Sequence, residues 1–212
     1  MKINTLDVQG FLPALKAMRN PLNSWQKADT VSDEHGFHIG ENDKNLSMRL
    51  QKAGPEHCKH LRMIVVWADI TAPLSFWKQA DTYSIGVTKI STSTMHKLMS
   101  RKLTMNDFAS IKSENGEYWY EYWSPELIAA VGNLNMKIEK YNACDDPVQK
   151  KLIWQEAVDL LPESYLQMRT VMFSYAALRN IVRQREGHKL GEWKEFIDWV
   201  HTLPESWMIF DE

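Results

Sequence analysis

Three arginines, an asparagine, a glutamine and a histidine crowd the second half of LPESYLQMRTVMFSYAALRNIVRQREGHKL, residues 161–190. Guanidinium groups grip phosphates through paired N–H donors, and carboxamides can read the polar edge of a ring. Read as one helix from Glu163, the stretch places Val171, Tyr175, Leu178 and Val182 at spacings of four, three and four, which makes an apolar face. Arg169, Asn180 and Gln184 then share another face, because eleven residues make about three turns. Such a row either lines a cleft for an anion and a polar ring or forms a solvated flank, the ordinary fate of arginine. Arg183 flanks that face. Arg185 lies about 140° around the helix from Asn180. One ligand touching both therefore requires the helix to end there, or a second subunit to complete the site. Gly187 is a helix terminator, and His188 opens the next segment.

Three other segments carry reactive side chains. STSTMHK offers Ser91, Ser93 and Thr94 as hydroxyl donors, with His96 and Lys97 as charges, at a helix start. It reads as an anion cradle or as a plain N-cap. MRNPLNSWQKADT sets Arg19, Asn23, Ser24, Trp25, Gln26 and Lys27 on a loop, either a lid with a stacking ring and a cation or an ordinary polar connection. His57 and His60 in HCKH are three apart, but no third ligand accompanies them, so no metal site is assigned.

Composition bounds these readings. The chain has 212 residues, 44% apolar and 25% charged, enough for one well-buried core or a core with an inserted subdomain. A formal charge of −2 gives no basic excess for general nucleic-acid binding. Nine tryptophans suit a core and its interfaces better than a row of base-stacking platforms. Cys58 and Cys144 form no CxxC pair, which points to a reducing compartment. The opening MKINTLDVQGFLPALKAMRN has no apolar signal core, and MIVVWADI is too short to cross a bilayer. A cytoplasmic protein with no membrane partner is expected.

The elements that must position these residues follow from periodicity and punctuation. The opening has weak strand character. Phe11, Leu12, Leu15 and Met18 predict a short helix. A long polar loop precedes a helix over about 42–53. LRMIVVWADI, 61–70, reads as a buried strand, and Pro73 starts a helix through LSFWKQADTY. SIGVTKISTSTMHKLMS is ambiguous, a Ser/Thr-rich loop followed by a helix. Residues 101–125, with the SENGE turn and Tyr118, Trp119, Tyr120, Tyr122 and Trp123, form an aromatic-rich excursion. Helices over about 126–141 and 147–160 follow, with Pro125 and Pro147 at their starts. The last helix, 190–200, aligns Leu190, Trp193, Phe196, Ile197 and Val200. The expected fold is helix-rich α/β (α+β) with few strands, one domain over 1–212.

The 161–190 stretch resembles the C-terminal signature of the flavin-dependent thymidylate synthases, the thymidylate-synthase-complementing family. Leu161-Pro162 match that signature's start, Asn180 its flavin-contacting asparagine, Arg185 its nucleotide-binding arginine, and His188 its histidine with one residue deleted between. RLQKAGPEHCKHLRMIVVWADITAPLSFWKQ is similar to the family's Gly-His-x-Ser…Glu-His turn with the strand and helix that follow, anchored on Gly54, His60 and Gln79. The resemblance covers about residues 40–97 and 150–203.

The chain departs from the family where flavin and phosphate are held. After Gln79 no Arg-His-Arg-x-x-Ser-x-Asn-x-x-Ser-x-Arg motif occurs; Asp81, Thr82 and Tyr83 take roughly the Arg-His-Arg places. Val158 and Ala176 stand where the family often carries arginines. A pyrophosphate loses cationic partners by these exchanges. The resemblance implies a homotetramer with sites between subunits. It implies reductive C5 methylation of dUMP with FAD and methylene-tetrahydrofolate. Arg185 would bind the nucleotide and acidify the uracil, Asn180 and His188 would face the flavin, and Arg169, Gln184, Ser91, Ser93, Gln79 and Tyr83 would contact the substrate. The missing motif keeps a second reading open, a nucleotide-sequestering or nucleotide-sensing protein on the same scaffold without flavin.

Overall fold

The computed structural model describes residues 1–34, 36–115 and 118–210. In chain order the first elements are β1 (Lys2–Gln9), α1 (Phe11–Ala17), β2 (Val31–Asp33), β3 (Gly36–His38) and α2 (Glu41–Ala53). Next come β4 (Val65–Pro73), α3 (Leu74–Ala80), β5 (Val87–Ser91) and the single turn α4 (Thr94–Lys97). Then follow β6 (Ile111–Asn115), β7 (Tyr118–Tyr122), α5 (Pro125–Ala143) and α6 (Pro147–Asp159). The chain closes with β8 (Leu166–Ser174), α7 (Tyr175–Arg185) and α8 (Gly191–His201). Helix and sheet are mixed, as expected, but strands are more numerous than the sequence suggested. A four-stranded sheet has the order β1-β4-β8-β5, and β2-β3 and β6-β7 are separate antiparallel pairs.

The largest correction concerns residues 161–190. They are not one long helix: residues 166–174 are the strand β8, and the helix begins only at Tyr175. Gln167, Val171 and Phe173 are buried in the alternating pattern of a strand. The side chain of Ser174 then accepts from the Ala177 N–H and starts α7. Val171, Tyr175, Leu178 and Val182 are all buried as predicted, but on two elements rather than one. Arg169 therefore shares no helix face with Asn180 and Gln184. Similarly, part of the Ser/Thr-rich segment is strand β5 rather than loop. The 101–125 excursion contains the antiparallel β6-β7 pair, with Ile111 opposite Tyr122; residues 116 and 117, on which part of the predicted SENGE turn falls, lie outside the described residues.

The chain divides into two compact units. The first comprises residues 1–2, 71–80 and 91–169. Its core joins Leu98, Met99, Leu103 and Phe108 to Val131, Leu134 and Ile138 of α5 and Ala157 of α6. Ser124 and Asp146 cap these two helices, and Pro125 and Pro147 occupy first-turn positions where no N–H is needed. The carboxamide of Asn135 closes both ends of one backbone segment, accepting from the Leu103 N–H at 2.7 Å and donating to its carbonyl at 2.9 Å.

The second unit comprises residues 3–70, 81–90 and 170–212. Trp193, Phe196, Trp199 and Val200 of α8 are buried, with Phe173 packed edge-on to Phe196 at 5.7 Å. The polar segment before α2 is tied down by charge. Asp43, 1% exposed, takes Arg19 Nε at 2.7 Å, the Thr30 hydroxyl at 2.7 Å and the Thr30 N–H at 3.0 Å. Burial pushes the Asp43 carboxyl up, but the Thr30 and Arg19 hydrogen bonds outweigh it and hold it below the usual range. Arg19 is 4% exposed in this pair, so it is a structural cation and not part of a solvent-facing lid. Trp25 is half exposed and donates its indole N–H to Asn20 at 2.8 Å.

Candidate functional site

The residues singled out in the sequence fall into both units. In the first unit, half-buried Arg169 stacks its guanidinium 4.3 Å over the Trp77 ring and donates to the Gln167 side chain at 3.0 Å. Gln167 in turn donates to the Thr92 carbonyl at 3.0 Å and to the Thr94 hydroxyl at 3.2 Å. Ser93 is the N-cap of α4: its hydroxyl accepts from the His96 N–H at 3.2 Å and lies 2.7 Å from His96 Nδ1. That is the capping role, on a helix of four residues. Ser91 ends β5 and is exposed, and Gln79 is half buried near the end of α3.

In the second unit the structure gathers Tyr83, Asn180, Gln184 and Arg185 into one hydrogen-bond chain. Arg185 Nε donates to the Tyr83 oxygen at 2.8 Å, and Tyr83 donates to Gln184 Oε1 at 3.1 Å. Gln184 donates onward to Asn180 Oδ1 at 3.0 Å. The Arg185 guanidinium also lies 4.7 Å over the Trp193 ring, and His188 meets that ring at 6.3 Å. This geometry is available because α7 ends at Arg185 and Gly187 reverses the chain in the left-handed region, at φ +69°. The predicted helix end is therefore real. Asp81, in place of the family's arginine, is an exposed carboxylate 3.5 Å from Lys89 Nζ, which also donates to the Tyr83 carbonyl at 2.8 Å. The charge is balanced within the segment.

Asn180 stands at the end of that chain and on the wall of a cleft of about 580 Å³. Lys52, Arg62, Arg179 and Arg183 also line this cleft, with no Asp or Glu among the described lining residues. Ser174, Ala176 and Ala177, the cap and first turn of α7, form another part of the wall. A helix start carries partial positive charge, so it adds to the four cations. Ala176 is one of the positions where a family arginine is missing, and Arg179 and Arg183 lie on the same helix within two turns of it. Ile85, Leu61 and Pro55 supply apolar wall. Gly86 allows the close approach of its segment to α7: at φ +71°, a Cβ there would meet Ser174 Oγ at 2.5 Å. Its carbonyl accepts the Ser174 N–H at 2.8 Å.

A buried polar chain supports the cationic wall. Arg179, 7% exposed, donates to Gln51 Oε1 and to the Met208 carbonyl. Gln51 donates to Ser47 Oγ at 3.2 Å, and Ser47 lies 2.9 Å from His60 Nε2. His60 is 4% exposed, and burial and the Arg179 charge lower its pKa to about 4. A neutral ring is what this chain needs, because Nε2 can then accept the Ser47 hydroxyl proton. His57, the other histidine of HCKH, is exposed beside Glu56 at 3.5 Å, so the two do not share a site.

Sequence reasoning missed Lys52, Arg62 and Arg179 as cleft residues and saw Arg183 only as a flank. The one local signal was the i, i+4 spacing of Arg179 and Arg183; the other cations arrive from α2 and from the turn before β4.

No protein-family model matches the sequence, and no curated protein sequence matches it. Solved structures do. Thymidylate synthase X from Helicobacter pylori, solved with FAD and dUMP, is similar over 100% of this chain and 98% of its own, with a TM-score of 0.75 at 16% identity. A second structure of the flavin-dependent enzyme from Helicobacter pylori, complexed with FAD and dUMP, covers 100% of this chain and 99% of its own, with a TM-score of 0.74 at 16% identity. The chain has the fold of the flavin-dependent thymidylate synthases.

Proposed function

We propose that this chain is a divergent member of the flavin-dependent thymidylate synthase family, and that the cleft on α7 binds a phosphorylated pyrimidine nucleotide of the dUMP type. The observation that carries this reading is the convergence of Lys52, Arg62, Arg179 and Arg183 on the wall of one cleft beside the start of α7. Four cations beside a helix start suit a phosphate dianion, and Asn180 offers a carboxamide to a uracil-like edge. The cleft volume lies in the usual range for small-molecule sites. Arg185, through Tyr83 and Gln184, orients Asn180 for that contact. In this reading the nucleotide-binding role assigned to Arg185 is one of positioning.

FAD is the cofactor that the fold family implies. Its pyrophosphate would have to share Lys52, Arg62, Arg179 and Arg183 with the dUMP phosphate, in place of the missing Arg-His-Arg. When bound, FAD supplies the hydride for reductive C5 methylation with methylene-tetrahydrofolate. His188, Arg169, Gln79, Ser91 and Ser93 remain candidate contacts in a homotetramer of cytoplasmic chains whose sites are completed by neighbouring subunits. A second reading, nucleotide sequestration or sensing without flavin, is favoured by one observation: Asp81, Thr82 and Tyr83 stand in place of the motif's Arg-His-Arg, and the Lys89 cation beside them is paired with Asp81.

The experiment is an absorbance spectrum of the purified protein followed by titration with FAD and with dUMP. Flavin and dUMP binding together support the methylating enzyme. Binding of dUMP without flavin supports the sequestering reading. Binding of neither overturns both. Arg185→Ala is expected to weaken dUMP binding at least about tenfold while leaving the fold intact, because it releases Tyr83 and Gln184; unchanged affinity removes Arg185 from the site.

A further inference from the structure

A second compartment adjoins the same cationic wall. It measures about 430 Å³ and is lined by Met48, Trp207 and Phe210 together with Lys52, Arg179 and Arg183. The last three also line the larger cleft, so one ridge of positive charge borders both. The aromatic walls are held in place. Trp207 donates its indole N–H to the Glu205 carboxylate, and Lys44 Nζ lies 5.7 Å from the centre of its ring. Phe210 stacks on His201 with centroids 3.7 Å apart and planes within 5°. The turn that presents Trp207 begins at Glu205, whose backbone is left-handed at φ +51°. Both aromatic side chains are half buried, as is the thioether of Met48.

A pair of fixed rings and a thioether beside three cations matches a planar aromatic ring that carries an anionic group. The rings and sulfur give the heterocycle dispersion and stacking, and the ridge neutralises its charge. We propose that this compartment binds the base of a nucleoside monophosphate whose phosphate rests on Lys52, Arg179 and Arg183, at a site separate from the larger cleft. Because the ridge is shared, a ligand there competes with the anion of the larger cleft. Occupancy of one compartment therefore lowers affinity in the other.

The test uses AMP, dUMP and inorganic phosphate as probes, with the full chain, by calorimetry. Trp207→Leu and Phe210→Leu are expected to weaken AMP at least about fivefold, the loss of one stacking partner, and to leave inorganic phosphate unchanged. Arg183→Gln is expected to weaken both. AMP is also expected to raise the apparent dissociation constant of dUMP in proportion to its concentration. Equal AMP affinity in wild type and Phe210→Leu, with the fold confirmed by circular dichroism, overturns the proposal, as does AMP binding that leaves dUMP affinity untouched. The outcome is separable from the reading of the larger cleft, because Arg62 and Asn180 line only that cleft and Trp207 and Phe210 only this compartment. Loss of dUMP binding in Arg62→Gln with AMP binding retained supports two sites; no AMP binding in wild type overturns this one alone.

Discussion

Acidification from pH 7 to pH 5 should weaken the second unit through one side chain, His60. Its ring is 4% exposed, faces Ser47, and has no hydrogen-bond partner at Nδ1 among the described residues. Burial and the Arg179 charge hold its pKa near 4, against 6.5 for the free side chain. The sign follows from linkage. The unfolded chain takes up the proton as pH falls through 6.5, while the folded chain resists it until about 4, so stability is full above 6.5 and is lost between 6.5 and 4. The loss is about 2 kcal/mol by pH 5 and about 3 kcal/mol below pH 4. Carboxylates held low do not blur this window. Asp43, Asp107 and Glu156 contribute stability that is lost only as pH falls below ordinary values of 3.8, 3.8 and 4.5. The assay is urea unfolding of wild type and His60→Gln at pH 7 and pH 5. Wild type should lose about 2 kcal/mol between the two, and the variant, with nothing to titrate there, should lose much less. Equal losses in both proteins would refute the reasoning and show that His60 is solvated or already paired.

Further perturbations follow from the same contacts. Arg19→Ala strands the buried Asp43 carboxylate and should cost about 3–5 kcal/mol by chemical denaturation, far more than removal of an exposed cation such as Lys78, whose partner is Glu163 at the surface. Gly86→Ala drives a Cβ into Ser174 Oγ at the cap of α7, so it should lower the melting temperature and weaken dUMP binding together, while Gly132→Ala, with open space around it, should do neither. Asn135→Ala removes both hydrogen bonds that hold Leu103 and should destabilise the first unit by about 2 kcal/mol, read from the near-ultraviolet signal of its tryptophans.

Much of the architecture was legible where a single local cause was enough. Ser124-Pro125 and Asp146-Pro147 announce the starts of α5 and α6, and the period of Trp193, Phe196 and Val200 announces α8. Residues 161–190 misled because Val171, Tyr175, Leu178 and Val182 fit helical spacing while Val171 lies on a strand with the alternating burial of Gln167, Val171 and Phe173; Thr170, Val171 and Phe173 were the β-forming signal, and Ser174 the cap that divides the two elements. Asn180, Gln184, Arg185 and Tyr83, each a candidate from residue type and resemblance, lie in one hydrogen-bond chain. The cationic wall was not legible, since Lys52, Arg62 and Arg179 reach one cleft from three segments and nothing local to Arg179 beyond its i, i+4 spacing from Arg183 marks it as a cleft residue. The placement of Arg19 failed for the opposite reason: its partner Asp43 lies 24 residues away, and nothing local distinguishes a buried pair from a solvated arginine.

Whether the cleft on α7 holds a phosphorylated pyrimidine nucleotide is decided by titrating dUMP into the wild-type chain and into Arg62→Gln at neutral pH. Arg62 is exposed, so its replacement should leave the fold intact. Saturable binding to wild type and at least about tenfold weaker binding to the variant are expected, the value of a charge-assisted contact to phosphate. No binding to wild type, or equal affinity in both, would contradict nucleotide binding there.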